Sequence, residues 1–177
     1  MRLFIAINFT DEIKDKIQDM ITKLRACSTQ GRFVKNEHMH ITIEFLGDVA
    51  ENKLNTIQNI MDQISITPFS LKLCHLGHFR RREGDIYWIG MEENPKLLNV
   101  HSQIHKMLKK EGFTVEDREY KPHLTIGRKI LIGKDFNLYN LQDDLEDLEI
   151  RVDKIDLLES KQVKGELIHK IIYYKTL

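Results

Sequence analysis

The chain has 177 residues, 41% of them hydrophobic, enough for one domain or two joined lobes to bury a core without disulfide or metal staples. Lys plus Arg and Asp plus Glu each number 27, so no overall field draws the protein to nucleic acid or to an anionic membrane, and a polyanion site must be a local patch. No apolar run approaches the ~18 residues of a membrane helix, residues 1–7 are too short for the apolar region of a signal peptide, and the only cysteines are Cys27 and Cys74, which together predict a soluble protein of the reducing cytoplasm.

Residues 3–8 form a nearly continuous apolar run, the pattern of a strand buried on both faces. Thr10 or Asp11 can cap a helix whose inner face carries Ile13, Ile17, Met20, Ile21 and Leu24. Residues 31–35 read as a short strand, and Asn36 and Glu37 as a turn. Over residues 38–45 the alternation is strict, so Met39, Ile41, Ile43 and Phe45 should point one way and His38, His40, Thr42 and Glu44 the other. An imidazole and a hydroxyl at i and i+2 can both reach one small anion on that face.

Leu54, Ile57, Met61 and Ile64 predict a second amphipathic helix, and Phe69, Leu71 and Leu73 a further strand. Residues 77–85 read as a loop carrying Arg80, Arg81 and Arg82, the one concentrated positive patch and a candidate phosphate contact. A strand over 86–91 leads to Asn94 and Pro95, a capping side chain followed by proline, and to a helix with Leu97, Val100, Ile104 and Met107 inside and Gly112 at its end. Residues 122–130 form another strand, with His123, Thr125 and Gly127 on one face. An acidic, solvated stretch over 143–149 precedes two closing strands, 150–158 and 166–174, paired as a hairpin around Lys164 and Gly165.

The tetrad His40-Ile41-Thr42-Ile43 thus returns as His123-Leu124-Thr125-Ile126. At the same offset of 83 residues, from 40 to 123, Phe4-Ile5-Ala6 falls on Tyr87-Trp88-Ile89, Ile17 on Val100 and Ile21 on Ile104. A strand, a helix face and a motif strand recurring in one order read as an internal duplication.

These features resemble the two-histidine phosphoesterases, and within them the bacterial and archaeal RNA 2',3'-cyclic phosphodiesterases, also called 2'-5' RNA ligases. Besides the tetrads, the carriers are the residue 3–7 strand, Glu44-Phe45-Leu46-Gly47, the Trp88 strand, Lys121-Pro122 and Gly127-Arg128. The resemblance implies an α+β fold over residues 1–177, a single bilobal domain with two antiparallel sheets facing a central cleft and helices outside. It implies metal-independent hydrolysis of RNA 2',3'-cyclic phosphodiester ends to 2'-phosphomonoesters, possible 2'-5' ligation, and no cofactor. His40 maps onto the proton donor and His123 onto the proton acceptor, while Thr42, Thr125 and Arg128 map onto phosphate-binding groups. Arg128 lies an odd step from His123, so it can face the site only if the strand ends or bulges near Gly127.

The chemistry suits the residue types. Opening a cyclic phosphate with water needs one group to take the water's proton and another to protonate the departing ribose oxygen, and imidazoles with unperturbed pKa values near ~6.5 can do both at neutral pH. Metal-based alternatives are weaker: His38 and His40, and the i, i+4 pair His101 and His105, come without an evident third ligand, and the helical pair lacks the glutamate of the zinc-protease motif. His75, His78 and His169 read as surface or strand residues and Tyr87 and Trp88 as packing. Phe45 and Phe79, beside a motif and the basic loop, are candidates for base stacking. The expected partners are RNA ends or small 2',3'-cyclic nucleotides, with no membrane and a monomeric state. The alternative is a nucleotide- or RNA-binding module that keeps the phosphate site with little catalysis.

Overall fold

In the computed structural model, which describes residues 1–133, 141, 145 and 148–177, the chain forms two antiparallel sheets and three helices. The first sheet has the order β3-β1-β8-β9, built from His40–Asp48, Arg2–Asn8, Lys154–Val163 and Glu166–Thr176. The second has the order β2-β6-β5-β4-β7, built from Ser28–Phe33, His123–Ile132, Asp85–Met91, Phe69–Phe79 and Glu149–Val152. The pairing repeats, β3 on β1 and β6 on β5, and the two motif strands β3 and β6 approach one another across the cleft. The predicted α+β architecture of two antiparallel sheets is the one observed.

The helices lie where the apolar spacing put them. Helix α1, Asp11–Ala26, buries Ile17, Met20, Ile21 and Leu24. Helix α2, Leu54–Asp62, buries Ile57, Ile60 and Met61, and α3, Pro95–Lys110, buries Leu97, Val100, Ile104 and Leu108. The α3 start is capped as expected, the Asn94 side chain accepting from the amides of Lys96 and Leu97. Truncating one of these fully buried side chains to Ala costs about 2–5 kcal/mol. No described helix is long and apolar enough to cross a membrane.

Four expectations need correction. The stretch read as one strand over 150–158 is two: β7 ends at Val152, pairs with β4 in the second sheet, and hands the chain to β8 in the first. The loop expected over 77–85 shrinks to 80–84, because β4 runs through Phe79 and pairs with β5 as far as Ile86. The alternation over 38–45 is not strict: His38 closes a 3-10 turn, and one bulge in β3 turns Glu44 into the interior and Phe45, 53% exposed, out of it. The aligned strands are also one residue out of step. Ala6 pairs with Thr42 and Trp88 with Thr125, so β1 and β5 correspond at an offset of 82, from 6 to 88, and a one-residue slip moves Trp88 to the other face from Tyr87. The acidic stretch over 143–149 lies largely outside the described residues, and its described Leu145 and Leu148 are buried.

Candidate active site

The two motif strands share more than a tetrad. In β3, Ala6 faces Thr42 and Ile5 faces Glu44, leaving Ile43 as an extra residue. In β6, Trp88 faces Thr125 and Tyr87 faces Gly127, leaving Ile126 as the extra one. Each strand therefore bulges directly after its threonine, and a bulge inverts the parity of the residues beyond it. Consecutive residues become buried, Ile43 with Glu44 and Ile126 with Gly127. The next residue then returns to the face of the histidine and threonine: Phe45 in β3 and Arg128 in β6. The odd step that stood against Arg128 is removed by this extra residue, and Gly127 fits the crowding, since a Cβ there would lie 2.4 Å from Ile130.

Both imidazoles are anchored to a carbonyl two residues upstream. His123 Nδ1 donates to Lys121 O at 2.7 Å, which leaves Nε2 free to accept or to deliver a proton. His40 is tied in the same way to the His38 backbone. Their neighbours differ. His40 packs against the Phe4 ring, centroids 4.9 Å apart, and against His169 of β9 at 5.4 Å. Burial first, and then the charges of His169, His38 and Arg128, lower its pKa from the usual 6.5 to about 4. His123 instead meets Phe79 edge-on at 5.8 Å and Trp88 at 6.1 Å.

The sequence read His169 as a surface or strand residue and Trp88 as packing; His169 does lie on β9, and each ring also sits beside a motif histidine. The Trp88 Nε1 and His169 Nδ1 atoms are buried without a protein partner. A second omission is Tyr120, whose hydroxyl donates to the Thr42 carbonyl at 3.1 Å while burial pushes its pKa well up. A tight contact of Gly84, in the 80–84 turn, with the Lys129 backbone sets the basic loop beside Arg128, and Arg80, Arg81 and Arg82 are all exposed there. Phe79, a stacking candidate in the sequence, meets His123 edge-on.

The two motif strands thus bring His40 with Thr42 and His123 with Thr125 onto neighbouring strands, β3 and β6.

Comparison with known proteins supplies the family and the fold. The family model of the 2'-5' RNA ligase superfamily matches residues 13–164. A Methanocaldococcus jannaschii protein named RNA 2',3'-cyclic phosphodiesterase is 34% identical over 97% of this chain and 98% of its own. One of the same name from Thermotoga maritima is 29% identical over 98% of this chain and 94% of its own. Among solved structures, the E. coli LigT complex with 3'-AMP superposes with a TM-score of 0.83 at 23% identity, covering 99% of this chain and 97% of that one.

Proposed function

The chain belongs to the 2'-5' RNA ligase superfamily, and from that premise we propose that it hydrolyses RNA 2',3'-cyclic phosphodiester ends to 2'-phosphomonoesters without a metal in the chemical step. The observation that carries the reading is the matched pair of bulged His-x-Thr strands, with Arg128 near enough for its charge to act on His40. In this scheme the non-bridging oxygens are held by Thr42, Thr125 and Arg128, whose fixed donors stabilise the charge that builds on them. His123, its Nε2 left free, takes the proton of the attacking water, and His40 protonates the departing ribose 3'-oxygen. A ribose 5'-hydroxyl in place of water would form a 2'-5' link in the same geometry.

One feature bears on the roles. A pKa of about 4 leaves His40 neutral in the free protein at pH 7, which is the form of a base. The donor role therefore requires the bound phosphodiester anion to offset first the burial of His40 and then the charges of His169, His38 and Arg128, and so draw a proton onto it. Phe45, Phe79 and the three loop arginines supply stacking and phosphate contacts for the rest of an RNA end. The reading takes residues 1–177 as one bilobal unit, a cytoplasmic monomer, in keeping with two free thiols.

The test is turnover of a 2',3'-cyclic nucleotide and of an oligoribonucleotide 2',3'-cyclic end, with chelator present throughout and the 2'- and 3'-phosphate products separated. The expected product is the 2'-phosphate. Binding without turnover would leave the nucleotide-binding module as the correct reading, and a requirement for added zinc or magnesium would overturn the metal-free scheme.

A further inference from the structure

His101 and His105, one turn apart on α3, lack a third ligand in the sequence, but the fold supplies one. Glu44 Oε2 lies 2.7 Å from His105 Nδ1 and 3.5 Å from His101 Nε2. A ligand atom from each of the three lies within 4.8 Å of the others, and among the described residues this is the one trio of His, Cys, Asp or Glu that does so. The bulge that exposes Phe45 is also what turns Glu44 toward α3, so the site depends on a feature that spacing does not reveal.

The surroundings prepare the donors. Glu44 is only 7% exposed, and although burial opposes its charge, hydrogen bonds from His101 and His105 hold its pKa below the ordinary carboxylate value. His101 stacks on Tyr120 with centroids 4.0 Å apart and planes within 7°, which fixes its ring. His105 points its other nitrogen, Nε2, at Asp117 Oδ1, 3.2 Å away, and Lys109 in turn holds Asp117 at 2.7 Å. When an ion displaces the Nδ1 proton to solvent and takes that lone pair, Nε2–H still donates to Asp117, the arrangement that fixes the tautomer of metal-bound histidines and strengthens them as ligands.

We propose that Glu44, His101 and His105 form a binding site for one zinc-class divalent cation, with two imidazoles, one carboxylate and a fourth place for water. Seating the ion opens the 2.7 Å Glu44–His105 pair to roughly 3.3 Å, the spacing of neighbouring ligands around a tetrahedral centre with bonds of ~2 Å. The site lies on the α3 side of β3, away from the face of His40 and Thr42. Its role is to clamp α3 to the bulge that positions Thr42 and Phe45, not to enter the phosphodiester reaction. Because all three groups bind the ion deprotonated, affinity should fall as pH drops.

The experiment titrates Zn²⁺ alone into the full chain against a chromophoric chelator, with thermal unfolding followed in parallel. One ion should bind and raise Tm. Replacing a buried carboxylate risks the fold, so the test rests on His101→Gln and His105→Gln, with folding checked by circular dichroism. Each should weaken Zn²⁺ binding about 100-fold or more and abolish the Tm increase. His38→Gln and His169→Gln, which alter the other imidazole cluster, should leave affinity unchanged. Co²⁺ should give visible d–d bands in the wild type and lose them in the α3 variants. Absence of stoichiometric Zn²⁺ binding at micromolar concentration overturns the proposal. So does affinity retained in both α3 variants, or affinity lost in His38→Gln.

Discussion

The two halves place the same device in different surroundings. Around both His40 and His123 the strand begins with a ring tied to a carbonyl two residues back, carries a threonine two residues on, and bulges before one more residue faces the cleft. His40 is then enclosed by Phe4, His38 and His169 and its pKa falls to about 4, whereas His123 meets Phe79 and Trp88. The backbone geometry comes from the repeat. The lowered pKa of His40 comes from elements packed beside that copy, among them β9, which supplies His169 only to the first. A duplicated site can acquire two differently surrounded imidazoles without changing either motif.

The strongest way to break this comparison is to remove each ring in turn. His40→Ala and His123→Ala should each lower kcat by about 10²–10⁴-fold or more, with folding of each variant checked by thermal unfolding at neutral pH. A substrate whose leaving oxygen needs no protonation should rescue His40→Ala but not His123→Ala. The opposite pattern would exchange the roles of donor and acceptor, and full activity in either variant would end the paired scheme.

Arg128 and Phe45 occupy equivalent places after the two bulges and should fail differently. Arg128→Ala removes a charge-assisted donor at the phosphate and is expected to cost kcat/KM about 10²–10³-fold on any substrate. Phe45→Ala should cost roughly 1–3 kcal/mol, read in KM for RNA ends that place a base on the ring and not for the phosphate step itself. Equal losses on both substrates in both variants would mean that the bulge residues do one job.

The lowered pKa of His40 gives a third test. The acid limb of kcat/KM should lie near pH 4, reporting His40 in the free protein, and His169→Gln should move it upward by removing one of the groups that lower it. The same shift acts on stability. The native state resists protonation that the unfolded chain accepts near ~6.5, so stability is held above that pH and lost as pH falls toward 4. The loss is on the order of 3 kcal/mol, from the 6.5 to about 4 change, and should be absent from His40→Ala unfolding curves. An unmoved limb would mean that His169 does not act on His40.

The smallest effect concerns the basic loop. Replacing Arg80, Arg81 and Arg82 with Ala should leave turnover of a cyclic mononucleotide unchanged and flatten the salt dependence of KM for an oligonucleotide end, since each released phosphate contact lowers the slope by about one. Unchanged salt dependence would return the loop to the solvated role its exposure allows.

What short-range periodicity encodes was legible in the sequence alone: the buried faces of α1, α2 and α3, the Asn94 cap, the closing hairpin and the paired His-x-Thr strands, while the two antiparallel sheets came from the resemblance those motifs carry. Tertiary structure alone decided the rest. One extra residue in each motif strand reversed the faces of Glu44, Phe45 and Arg128, and a one-residue slip in the repeat brought Trp88 to His123, because side-chain direction in a strand has a period of two and a single insertion inverts it. The depressed pKa of His40, and the meeting of Glu44 with His101 and His105, arise between residues far apart in the chain. Desolvation and ligand geometry are set by what packs against a side chain, and no local pattern carries that information.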